Sequence, residues 1–426
     1  MKTATLTSGK SFNQLIPDDI KTIIFNHETK SKHIQKYVDV SNKQDESIIA
    51  WKKGESFIVS TQDDDVTIMA NKDSSGMFYW KREIKEIIFD NFDTSNVNSM
   101  NWMFSGCNNL ATLDVSGFDT SKVTNMSSMF KNCFNLTTLD LTSFNSSNVT
   151  DMNNLFSNCE RLTTLNLSGF DTSKVIYMAC MFQRCLKLTA LDINNFNTSK
   201  VKGMEWMFSK CQSLQELNLD SFDTSNVTSM SYMFQDCSNL TSLDVSSFNT
   251  SKVIDMNNMF YNCKALTTLN LNSFNTSKVT SMGNMFANCE SLITLDVSNF
   301  NTSKVMNMSG MFCDCKKLKT LNLNNFDTRN VIFMTDMFRE CLKLETIKIN
   351  NFDTSKVDSM KTMFSECQNL QELNLDSFDT SKVKNMDYMF RGCSKLEKCD
   401  TNHFIINSVA HNRDMFEGCI KLKIKW

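Results

Sequence analysis

Proline occurs once, at Pro17, and glycine only 11 times in 426 residues. A chain so poor in both must make its turns with Asn, Asp, Ser and Thr, whose side chains hydrogen-bond nearby backbone. Histidine is as scarce: His27, His33, His403 and His411 all lie near the ends. A Ser/His/Asp or Cys/His centre would have to be built there, and no nucleophile motif or Gly-rich phosphate loop is visible. No enzyme is expected, and no catalytic residue, cofactor or metal. No run of 18 apolar residues exists, so no membrane span is predicted. The net charge of −3, from 44 basic and 47 acidic residues, lacks the basic excess of a nucleic-acid binder. The first ten residues lack the apolar stretch of a secretory leader. That favours retention in the cell, another export route, or a leader missing from this chain.

What is present is a beat. Phe-Asp/Asn-Thr-Ser-Lys/Asn-Val returns, with small changes, every 26 residues, led by Phe92, Phe118, Phe144, Phe170, Phe196, Phe222, Phe248, Phe274, Phe300, Phe326, Phe352, Phe378 and Phe404. A fixed period in this range marks one structural unit stacked many times. In the unit that starts at Phe118, Val123, Met126, Met129, Phe130 and Cys133 step by three and four, which predicts one face of a short helix. Asp119, Thr120 or Ser121 would cap its first turn. Leu139 and Leu141 then alternate with Thr138, Asp140 and Thr142, as in a strand with one buried face. Identical strands in successive repeats should pair in parallel and in register. One repeat buries too little apolar surface to offset the ordering of 26 residues, so neighbours must cover it.

Met-Phe-x-x-Cys-x-x-Leu-x-x-Leu-Asp/Asn-Leu-x-x-Phe, standing here as Met129-Phe130, Cys133, Leu136, Leu139-Asp140-Leu141 and Phe144, resembles the BspA-type leucine-rich repeat of bacterial surface proteins and lipoproteins. The resemblance covers about 330 residues. It implies an α/β solenoid, a leucine-rich-repeat-like array of short parallel strands and short helices with about 13 repeats. It also implies adhesion or binding to host or matrix proteins, and a cell-surface or secreted location. A cytoplasmic location is the alternative.

Two domains are expected: 1–75, an N-terminal segment and cap, and 76–426, the solenoid with degenerate first and last repeats. Met77-Phe78, Ile84, Ile87 and Phe89 keep the register one step before the first full repeat, with Lys81 in place of Cys. Residues 48–59 read as a hairpin about Gly54, and 66–69 as a further strand. A short helix is expected from Pro17. At the far end the motif decays from Phe404 on, and 421–426 alternate Lys with apolar residues, as an exposed last strand would.

Thirteen cysteines form one column from Cys107 to Cys419, while Cys180, Cys313 and Cys399 lie off it. Metal binding or disulfides would be the functional reading, but zinc wants paired close spacings with His. A buried thiol ladder is favoured, since free Cys packs as a small hydrophobe. Sixteen thiols also sit best in a reducing compartment. Met-x-x-Met pairs such as Met126/Met129 and Met256/Met259 share the apolar face, so core packing is expected over copper binding.

The outward strand positions form two columns. One is mainly Thr, interrupted by Glu216 and Glu372; the other alternates Asp and Asn from Asp140 through Asp192, Asp244 and Asp296 to Asn322. Alternation separates like charges on neighbouring strands. The candidate binding face is Asp140, Asp192, Glu216, Asp220, Asp244, Asp296, Glu372 and Asp376. A tolerated polar ladder is the simpler alternative. With few aromatic or Arg anchors, this face should make weak, multivalent contact with a protein or glycan ligand. The expected function is therefore a monomeric, non-enzymatic binding or adhesion scaffold. An intracellular or delivered interaction scaffold, and a passive spacer, are the alternatives.

Overall fold

The computed structural model describes residues 2–405 and 411–422. The chain forms two compact units, Met1–Val201 and Lys202–Trp426.

The first unit opens with β1 (Lys2–Thr5), α1 (Gly9–Leu15), β2 (Thr22–Asn26), β3 (Val38–Asp39), β4 (Ile49–Lys53), β5 (Ser56–Ser60) and β6 (Val66–Met69). Next come β7 (Glu86–Phe89), β8 (Thr138–Asp140) and β9 (Thr164–Asn166), one from each of three repeats. The expected hairpin is β4–β5, turning at Gly54 with φ of 64°. The expected further strand is β6, which pairs in parallel with β1. Strand β2 lies between β5 and β7, parallel to both, so the N-terminal segment supplies the strand beside the first repeat. Phe12 of α1 meets Phe25 of β2 and Phe78 of the first repeat at ring-centroid distances of 5.8 and 6.2 Å.

The helix is not where it was expected. It ends before Pro17 instead of starting there. Ile16 is extended, with φ −75° and ψ 118°, the conformation a following proline enforces.

The helix expected in every repeat is absent: α1 is the one α-helix among the described residues. Consecutive tight turns replace it. Met129 donates to the Met126 carbonyl and Cys133 to the Phe130 carbonyl, three residues back in each case. The intervening amides point to the next repeat: Ser128 to Asn153, Phe130 to Leu155 and Asn132 to Ser157, at 2.8–3.0 Å. Ser128 and Asn132 have φ of 57° and 61°, which closes such turns and forbids a helix. The same two positions are left-handed in repeat after repeat, from Trp102 to Asp414 and from Gly106 to Gly418. With no helix there is no helix cap. Asp119 instead accepts the Ser121 amide, and Thr120 bonds the next repeat.

The backbone ladder accordingly runs through the turns. In the first unit parallel bridges join Ser99, Asn125, Asp151 and Tyr177; in the second they join Gly203 to His411 at every repeat. The strands expected in every repeat form in only some of them, parallel and in register: β8–β9 in the first unit, and β10 (Thr320–Asn322) with β11 (Thr346–Lys348) and β12 (Glu372–Leu373) with β13 (Lys398–Cys399) in the second. The equivalent residues 190–192, 216–218, 242–244, 268–270 and 294–296 form no strand ladder. The expected last strand lies, from residue 423 on, outside the described residues, as does Ile406.

Val, Met, Phe, Cys and Leu all face inward as their spacing predicts: Val123, Met126, Met129, Phe130, Cys133 and Leu136 are fully buried. Burying each such side chain contributes roughly 1.5–3 kcal/mol. In the second unit the turn phenylalanines stack in one file from Phe208 through Phe234, Phe260 and Phe286 to Phe312, 5.7–5.8 Å apart.

Candidate interaction surfaces

Two side-chain columns hold neighbouring repeats together and so are not free to bind anything. The Thr of Phe-Asp-Thr is buried and reciprocal: Thr120 Oγ1 donates to the Asn145 carbonyl at 3.1 Å and accepts the Asn145 amide at 2.8 Å. Thr250 and Thr276 repeat the arrangement with Asn275 and Asn301. The thiols form a second column. Cys133 Sγ donates to the Phe104 carbonyl at 3.2 Å, and Cys237 Sγ to the Phe208 carbonyl at 3.1 Å. All described cysteines are free thiols. Burial pushes the Cys133, Cys289 and Cys367 thiols up to about 12, away from nucleophilic or metal-binding form. Among the described residues no His/Cys/Asp/Glu group is arranged to hold a metal.

Lys81 shows what the thiol column is for. It stands at the Cys position of the degenerate first repeat, where α1 and the turn after it replace a preceding repeat. Its Nζ donates to the Ile16 carbonyl at 2.7 Å and reaches the Asp18 carboxylate at 3.2 Å. A longer donor here spans to a different partner.

A further column, the outward Asp/Asn row, bonds within its own repeat. Each member accepts the amide two residues on: Thr142 donates to Asp140 at 3.0 Å, Asn194 to Asp192 at 3.2 Å, Ser246 to Asp244 at 2.8 Å and Ser298 to Asp296 at 2.9 Å. Asn218 and Asn374 do the same for the amides of Asp220 and Asp376. These turns need an oxygen acceptor, which Asp and Asn supply equally. The turn hydrogen bonds hold the carboxyls of Asp140, Asp244 and Asp296 below the usual range: the Thr142 amide first for Asp140, the Ser246 side chain first for Asp244, the Ser298 amide first for Asp296.

All eight candidate residues are exposed. Asp140 and Asp192, two repeats apart, line one shallow groove with Thr138, Thr164 and Asn166. Glu372 and Asp376 line another with Lys398 and Asp400, and Glu372 pairs with Lys398 at 2.5 Å. Glu216 stands in the Thr column, Asp244 and Asp296 in the Asp/Asn column, and Asp220 two residues beyond it in the same repeat as Glu216. No helix among the described residues is long and apolar enough to cross a membrane.

Sequence reasoning missed a second exposed surface, on the segment leading into the turns. There Ile254, Met306 and Phe333 are about half exposed, beside Lys252, Lys278 and Lys304. The signal was present: Val253, Val279 and Val305 are buried, so the residues on either side must point out.

No curated protein matches the chain. Among solved structures it is similar to a leucine-rich repeat protein from Eubacterium ventriosum, at 13% identity over 89% of this chain and 94% of that one, with a TM-score of 0.33. The TLR13–ssRNA13 complex is similar at 13% identity over 84% of this chain and 72% of that one, with a TM-score of 0.17. At such scores the repeat architecture rests on this chain's own hydrogen bonds and on its family. The family described as "Mycoplasma protein of unknown function, DUF285" matches at residues 72–191, 133–242, 181–292, 262–347 and 341–425. These matches together cover more than four fifths of the chain, which therefore belongs to the DUF285 family.

Proposed function

We propose that this protein is a non-enzymatic binding scaffold, with residues 1–75 capping the repeat array of 76–426. The observation that carries the reading is the division of labour within the repeat. Phe, Val, Met, Cys, Leu and the motif Thr are committed to holding repeats together. The residues left to vary are exposed and held in register. A surface of that kind offers many similar weak contacts to an extended partner. The parallel pairing of β2 with β7 and the reach of Lys81 to Ile16 support the cap.

The strand face, with Asp140, Asp192, Glu216, Asp220, Asp244, Asp296, Glu372 and Asp376, is the first place where a protein ligand would sit. The BspA-type resemblance supports adhesion at a cell surface. Each repeat carries little binding energy, so affinity should grow with the number of repeats engaged. The test is a matrix-protein and glycan binding screen with the full chain, set against a variant with all eight residues changed to Ala. The proposal expects capture of a ligand and at least a tenfold loss in that variant. No capture from any source would leave the passive spacer.

A further inference from the structure

We propose that the second unit carries a binding site for an anionic polysaccharide, a sulfated or uronic-acid glycan, along Asn249/Lys252, Asn275/Lys278 and Asn301/Lys304. The inference rests on the scaffold reading above and names a partner class and a face other than the strand face.

Each of these three repeats offers the same pair of donors. Asn249, Asn275 and Asn301 use their Oδ1 to accept the amides of Ser251, Ser277 and Ser303, all at 3.1 Å. With the oxygen occupied inward, the amide nitrogen is the end left for a ligand. The lysine three residues on is exposed in each case. Lys252 also touches Asn226 Oδ1 at 2.6 Å, which fixes its direction. The repeats are in register here: Thr280 donates to the Ile254 carbonyl and Met306 to the Thr280 carbonyl, both at 2.9 Å. Lysines in register on adjacent rungs, about 4.8 Å apart, repel one another.

Outside this row one repeat, Asn197 with Lys200, lacks the carboxylate as well, and the other lysine-bearing repeats have it. Asp119 precedes Lys122, Asp171 precedes Lys174 and Asp379 precedes Lys382. Those carboxyls lie below the usual range through Ser121, Ser173 and Ser381 first, and through the neighbouring lysine after that. From Asn249 to Lys304 the carboxylate is replaced by Asn three times running. Lys252, at the edge of the row, still has Asp223 of the preceding repeat for a neighbour, so Lys278 and Lys304 are the centre of the donor row. Such a row is complementary to a regular linear polyanion. An extended pyranose chain advances per sugar by about one rung, whereas an extended peptide presents same-side groups only every ~6.6 Å. The exposed Ile254 and Met306 beside the lysines give the C–H faces of the sugars an apolar surface.

The experiment uses the full chain with three probes: a heparin-type sulfated glycan, a polyuronate and polyglutamate. The central variants are Asn275→Asp with Asn301→Asp, which keep the turn acceptor but place a carboxylate beside each lysine, and Lys278→Glu with Lys304→Glu. The inference expects one or both glycans to bind and to lose at least tenfold in both variants. It expects Lys122→Glu with Lys382→Glu, exposed lysines already offset by Asp119 and Asp379, to change nothing, and polyglutamate to bind at least tenfold more weakly than the better glycan. It is overturned if neither glycan binds, if the Asn→Asp variant binds unchanged, or if polyglutamate binds equally. Loss of this site with a protein ligand still captured on the strand face would leave the scaffold reading standing.

Discussion

At the scale of the residue, the thiol is the most informative side chain. Cys237 is fully buried and donates to the Phe208 carbonyl. A hydroxyl in its place is smaller and more costly to bury, and it sits too far back to keep the same bond. Cys237→Ser should therefore lose about 1–3 kcal/mol. Lys252→Ser, on an exposed side chain, should stay within about 0.5 kcal/mol. Thermal melts of the two variants decide the matter, since equal shifts would remove the thiol column from the core. That the column is buried was legible from its company with Val, Met and Phe at one spacing. That each thiol makes a hydrogen bond to the repeat before it was not, because the partner is a backbone carbonyl 29 residues away.

At the scale of the element, the spacing of Met126, Met129, Phe130 and Cys133 identified which residues face inward but not the backbone that turns them there. Steps of three and four fit a helix and fit consecutive tight turns equally well. The discriminating signal lay in the two positions between them. They hold Asn154 and Asn158, Asn258 and Asn262, Asn284 and Asn288, and glycine at Gly106, Gly310, Gly392 and Gly418. Asn and Gly recurring at one position point to a left-handed backbone. The Asp/Asn row has a duty that its alternation did not reveal: each oxygen accepts the amide two residues on and so shapes the turn.

The thiol column makes a prediction of its own. In the unfolded chain a thiol ionises near its ordinary value of about 8.5. In the folded protein Cys133, Cys289 and Cys367 stay protonated up to about 12. Their contribution is complete below the unfolded value and is lost as pH rises through the folded one, at up to about 1.4 kcal/mol per pH unit for each thiol. Melting temperature should fall steeply between about pH 8.5 and pH 10. A Cys237→Ala, Cys263→Ala variant should fall less steeply over the same range. Parallel slopes in the two proteins would contradict the burial of the column.

At the scale of the molecule, the repeat explains why so much of the chain says so little about its partner. Everything strict in the 26-residue unit is used in joining one repeat to the next. Binding is left to the exposed columns, where Asp gives way to Asn, Thr to Glu, and Lys to Asn. Those exchanges are small in sequence and large in charge, as the donor row from Asn249 to Lys304 illustrates.

The repeats are joined through turns rather than built on helices. Far-ultraviolet circular dichroism of the full chain tests this most directly. A short helix in each repeat would make about a third of the chain helical. The structure predicts a spectrum with almost no helical signal, since the one helix among the described residues is seven residues long. A strong helical spectrum would contradict it.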